Sequence, residues 1–237
     1  MGNNELWGKI IKSAISLPGV NIDREAFLRK ELRNYCNEIN LENAIKGSPT
    51  TYISKEEASK IARGCIKYHL ISVTSISALA GIPGGWFSAA TIPTDITQFY
   101  GQILALSQKL MYIYGFPDIK NKNNDIDDNT LAILTICVGV MLGEQTAMNG
   151  LKSLLNEFSK QIANRLPKQA VTKYAIYNIA KQVAKWLGIK LTKDTFSKGV
   201  GKLVPLVGAP ISAGVTYWTF KPMAYKLKNH LAANTYK

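Results

Sequence analysis

The sequence predicts an all-α protein: a single compact multi-helix bundle whose central helices are apolar and rich in small residues. Three observations carry this expectation. Apolar residues recur at three- and four-residue spacing along nearly the whole chain. No segment shows the strict alternation and tight-turn chemistry of a β-hairpin. The polar and Pro/Gly breaks fall where ordinary loops between helices would lie. Hydrophobic residues make up 46% of the 237, enough to fill a core, so global disorder is not expected. No linker separates parts of the chain, and residues 1–237 are read as one helical domain with N-terminal helices over 1–50.

Each element follows from local signals. "NNELWGKIIKSAIS" sets Leu6, Ile10, Ile11 and Ala14 on one side and stops at Pro18-Gly19. Asn21 or Asp23 can cap "REAFLRKELRNYCNEI", one amphipathic helix with the stripe Phe27, Leu28, Leu32, Tyr35 and Ile39. "KGSPTTYIS" reads as a loop. Ser54 and Glu57 form a capping box for a helix whose early stripe is Ala58, Ile61, Ala62 and Cys65. After His69 the chain is apolar on all sides until Gly84-Gly85 and Pro93, and a long helix then spans about 94–114. Past the polar loop "GFPDIKNKNNDIDDN", Asn129 or Thr130 caps one helix through "LAILTICVGVMLGEQTAMNGLKSLLNEFSKQI". "KQAVTKYAIYNIAKQVAKWLGIK" is a further helix closed by Gly188, and Pro205, Pro210 and Pro222 should break the remainder.

Charge is placed unevenly. Residues 1–150 hold 14 Lys+Arg against 14 Asp+Glu, while residues 151–237 hold 15 against only Glu157 and Asp194. The whole excess of +13 therefore lies in the last third, which points to an anionic partner for that part. Within it, a helical wheel over residues 171–187 gathers Ala175, Ile176, Ile179, Ala180, Val183, Trp186 and Leu187 on one arc and Lys173, Asn178, Lys181 and Lys185 on another. A helix lying in a membrane surface has this pattern, and so does a core-packed surface helix of a basic protein. Nucleic acid is the less favoured partner, because lysine dominates, Arg165 is the single arginine of this third, and no recognised nucleic-acid motif is present.

Residues 70–94 and 203–220 carry no charge and reach the length of a membrane span. Their Ser, Thr, Gly and paired Pro argue instead for buried helices of a bundle, since lipid cannot satisfy the backbone groups that proline frees. The small residues Ala132, Thr135, Gly139, Gly143 and Ala147 allow close helix packing.

Signatures of catalysis are mostly absent, and no recognisable catalytic motif is present. "GVGK" at 199–202 lacks the upstream glycine and the hydroxyl residue of a phosphate loop. "DIDDN" lacks the glycine and closing glutamate of a calcium loop. Cys65 and His69 are one turn apart, yet two ligands make no zinc site. No cofactor or metal is expected. Cys36, Cys65 and Cys137 are an odd set without a close pair, suited to a reducing compartment. The start has neither a secretory signal nor a myristoylation pattern.

Asp95 stands alone in "GIPGGWFSAATIPTDITQFYGQ". It is either a helix cap, favourable at the positive dipole end, or a buried acid that needs a cation, for which Lys198 and Lys202 are the candidates. We expect the buried, structural case. Gln98 and Gln102 continue its face, and Tyr114 lies further along, giving a candidate polar seam.

The run "GIPGGWF…PTDITQFYGQILALSQKLMYIYGFPD", with the later "KLVPLVGAPISAGVTYW…MAYKLKNHL", resembles the EcsC family of bacterial proteins over residues 61–230. Asp95, Tyr114, Gly115, Lys202 and Gly208 match its recurrent positions. The resemblance implies a largely helical, intracellular, membrane-proximal protein of a family whose name-giving member is encoded beside an ABC transporter. It supplies no mechanism. The expected function is non-enzymatic: peripheral docking, from the cytoplasm, on an anionic membrane surface or a membrane protein complex through residues 151–237. The alternatives are an enzyme or lipid-handling protein with a pocket around Asp95, or a membrane-inserting effector.

Overall fold

The computed structural model describes residues 3–79, 94–120, 126–163, 173–196 and 213–236. Among these residues nine α-helices and one 3-10 turn pack into a compact bundle, and no strand occurs. Helix α1 (Asn3–Ile15) buries Ile10, Ile11 and Ala14 as expected and adds Trp7, while Leu6 is half-buried. It lies against α5 (Thr94–Ile113) and α8 (Lys173–Phe196).

Asp23 caps α2 (Arg24–Leu32), accepting a hydrogen bond from the Ala26 N–H at 2.8 Å. The single charged helix expected here is in fact two. α2 ends at Leu32, and Asn37 starts α3 (Glu38–Lys46) by accepting from the Asn40 N–H at 2.8 Å. An asparagine side chain offers the backbone an alternative to the helical ladder. The stripe is broken with the helix: Phe27, Leu28 and Leu32 are buried but Ile39 is 74% exposed. The expected loop contains the 3-10 turn Pro49–Thr51. Arg24 is buried beneath this corner and donates to the carbonyls of Phe116 (3.0 Å), Gly47 (2.9 Å) and Ile45. Gly115 turns the chain there at φ +91, and a Cβ on it would sit 2.5 Å from Ser48 Oγ.

α4 (Lys55–Leu79) opens on the predicted capping box: Ser54 N–H donates to Glu57 Oε2 at 2.8 Å and Glu57 N–H to Ser54 Oγ at 3.2 Å. Ala58, Ile61, Ala62 and Cys65 are all buried. α5 and α9 (Ala213–Thr235) run parallel. Their rings meet at both ends, Phe99 with Phe220 at 6.0 Å and Tyr114 with Tyr236 at 6.4 Å. α4 runs opposite to both, since Tyr236 Oη donates to the Ile53 carbonyl at 3.2 Å, just ahead of the α4 start. The end of α4 and the starts of α5 and α9 therefore share one end of this layer. Pro222 does not break α9. Trp218, one turn earlier, and Pro222 are both exposed, so the carbonyl that loses its N–H partner faces water. Pro205 and Pro210 lie outside the described residues.

α6 (Asp128–Leu142) is buried on every side and forms the centre. Its cap is Asp127, two or three residues before the expected Asn129 or Thr130, with Oδ1 accepting from the Thr130 N–H at 2.9 Å. The single long helix expected from here divides at Gly143, whose φ of +85 closes α6. The Glu144 side chain then accepts from the Ala147 N–H to begin α7 (Gln145–Ala163). At Gly139 a Cβ would lie 2.6 Å from both Ala147 Cβ and Val183 Cγ1, so this glycine is where α6 comes close to α7 and α8. α8 continues through Gly188 to Phe196, because a lone helical glycine costs only about 1 kcal/mol. No described helix is long and apolar enough to cross a membrane; residues 70–94 and 203–220 lie partly outside the described residues.

Candidate functional site

The predicted seam is only partly assembled. Asp95 is the second residue of α5, but its side chain lies outside the described residues, as do Lys198, Lys202 and Gly208. Gln98 is half-buried on α5. Gln102 turns toward α4, where its Oε1 lies 2.7 Å from Nδ1 of His69. His69 is 2% exposed, and its Nε2 is 3.0 Å from Lys109 Nζ. A carboxamide oxygen only accepts and an ammonium only donates, so His69 carries its proton on Nδ1 and is neutral. Burial, and then the Lys109 charge, push its pKa down to about 4. Burial also lowers the pKa of Lys109, whose ammonium rests 5.0 Å from the Tyr68 ring centroid.

Tyr114 does not join this group. Twelve residues beyond Gln102, it is turned by about 120° and moved about 18 Å along the axis. Its ring meets Tyr236, and its buried hydroxyl has no hydrogen-bond partner among the described residues. Lys109 was not anticipated. It follows Gln102 by seven residues, two helical turns, so the polar face could have been traced one step further.

This arrangement is a bridge between α4 and α5 more than a reactive centre. Both ring nitrogens of His69 are engaged, leaving no free lone pair for proton abstraction. Cys65, one turn earlier, is buried with its thiol pushed up to about 12 by burial, so it stays protonated and weakly nucleophilic. No cluster of three metal-ligating side chains exists among the described residues.

The basic face is better developed. On α8, Ile176, Ala180, Val183 and Leu187 are buried and Ile179 and Trp186 pack against the core. The apolar arc is therefore turned inward, toward α1, α6 and α7, and solvent meets the opposite side, where Lys181 and Lys185 are exposed. The Lys173 side chain lies outside the described residues. Lys152 and Lys160 on α7 and Lys221 and Lys226 on α9 are exposed too. None of these six described lysines makes an ion pair among the described residues. The pairs found there join Arg29 to Glu25 at 3.0 Å and to Glu42, both in the neutral part of the chain. Trp218 is 77% exposed on α9, beside Tyr217, whose hydroxyl accepts from Lys221 Nζ at 3.0 Å.

No protein-family model, curated protein or solved structure matches this chain.

Proposed function

We propose that this protein docks peripherally on an anionic membrane surface, or on a complex embedded in one, from the cytoplasmic side through its basic C-terminal third. The observation that carries the reading is the set of exposed lysines on α7, α8 and α9 that make no ion pair among the described residues. Each lysine held near an anionic leaflet contributes about 1 kcal/mol. Trp218 supplies a complementary contact, since an exposed indole with its polar N–H suits the headgroup layer. The resemblance of residues 61–230 to the EcsC family supports a membrane-proximal role.

Sedimentation with vesicles tests this. Binding to phosphatidylglycerol vesicles should weaken by about tenfold or more between low and high salt, and phosphatidylcholine vesicles should bind little. Lys181→Glu with Lys185→Glu should reduce it further. Trp218→Ala should weaken binding and remove the blue shift of tryptophan emission. Equal binding to neutral vesicles, or none to either, rejects the proposal. Salt-dependent binding to DNA or RNA alone transfers the basic face to nucleic acid.

A further inference from the structure

We infer that the groove between the first turns of α4 and the last turns of α9 binds a dianionic phosphate monoester, either free or as the headgroup of a lipid. The inference does not rest on membrane docking. The groove encloses about 400 Å³ and is lined by Lys55, Glu56, Ser59, Arg63, Lys228 and Asn229, with alanines of α9. Its volume falls in the range of small-ligand clefts, about 300–1,000 Å³.

Lys228 points to an anion. Its stem is buried, only 8% of the residue being exposed, and its ammonium opens into the groove with no hydrogen bond or ion pair among the described residues. Burial, and then the charge of Arg63, lower its pKa. Lys228 and Arg63 therefore set two like charges side by side at the groove, which is unfavourable without an anion between them. An incoming anion offsets that repulsion.

The surrounding groups suit a phosphoryl oxygen cluster. Arg63 Nη1 donates to Ser59 Oγ at 2.9 Å, which steadies the guanidinium and leaves its other N–H groups for a ligand. The Ser59 hydroxyl accepts that bond and keeps its own proton to donate. Planar guanidinium donors favour phosphate geometry. Three cations and one carboxylate line the groove, so its formal charge matches a dianion.

The test is thermal melting and calorimetric titration with sodium phosphate, against sodium chloride at equal ionic strength. Phosphate should raise the melting temperature by linkage, and chloride should not. Lys228→Met conserves volume, so it should fold, melt higher than the parent without phosphate, and lose the phosphate response. Arg63→Gln, at an exposed position, should weaken phosphate binding by about tenfold or more. No phosphate response in the parent, or an undiminished response in both variants, overturns the inference. Glycerol 3-phosphate against phosphatidic acid vesicles identifies the source: preference for the soluble monoester marks a free ligand, and preference for the vesicle marks a headgroup. Lys181→Glu with Lys185→Glu should leave inorganic phosphate binding intact, and Lys228→Met should leave binding to phosphatidylglycerol intact, which separates this site from the lysine face.

Discussion

His69 shows how one buried ionisable side chain sets a pH response. It stands on the inner face of α4 with Gln102 on one nitrogen and Lys109 on the other. Protonating it would place a second positive charge against Lys109 in a dry interface. In the unfolded chain its pKa returns to the usual 6.5, whereas in the fold it is about 4. Below pH 6.5 the unfolded state therefore takes up a proton that the native state refuses. Stability falls as pH falls through this window, and the loss levels off near pH 4. Between pH 7 and pH 5 it amounts to about 2 kcal/mol. His69→Gln should lower stability at pH 7 but flatten that slope, as read from urea unfolding at the two pH values. A slope unchanged by the substitution would mean that other groups carry the acid sensitivity.

Helices were legible where periodicity and caps agreed, and less so where a break depended on backbone geometry. Asp23, as one of two candidates beside Asn21, and the Ser54–Glu57 box were found from residue type alone, because capping chemistry is local. The breaks at 33–37 and at Gly143 were missed because apolar spacing continues across both. What ends those helices is an asparagine cap in one case and a left-handed glycine in the other. Pro222 and Gly188 were read as stops, but their surroundings tolerate them. In the candidate site, the lysine arc was legible from the wheel. The Lys109 bridge and the Lys228 groove depend on which helices adjoin, and that is a tertiary fact. Glycines show the same divide. Gly64 in α4 has open space where a Cβ would go, whereas at Gly139 that atom would meet Ala147 and Val183 at 2.6 Å. Gly64→Ala should raise stability by about 0.5–1 kcal/mol through backbone entropy. Gly139→Ala should lower it by about 1–3 kcal/mol through overpacking of α6 against α7 and α8. Comparable denaturation midpoints for the two variants would contradict the close approach of those helices.

At the scale of the whole molecule, the neutral and basic parts of the chain are not separate layers. α1, from the neutral part, packs against α8 of the basic third as well as against α5. Trp7 is the junction. It is 1% exposed, its indole N–H donates to Thr135 Oγ1 on α6 at 3.0 Å, and its ring meets Tyr100 of α5 edge-on at 5.2 Å. One side chain near the start of the chain thus touches the central helix and the helix that carries Gln102 and Lys109. Truncating a buried tryptophan costs about 3–5 kcal/mol, a large share of the roughly 5–15 kcal/mol that holds a domain folded. Trp7→Phe keeps most of the ring and loses the bond to Thr135, so its cost should be smaller. If the charged face on α7–α9 is held rigid by the same core that α1 completes, Trp7→Ala should shift the whole urea transition to lower concentration without changing its slope. Vesicle binding should survive until that transition begins. Two separate transitions, with the lysine-bearing helices still folded after α1 has gone, would show instead that the basic third stands on a core of its own.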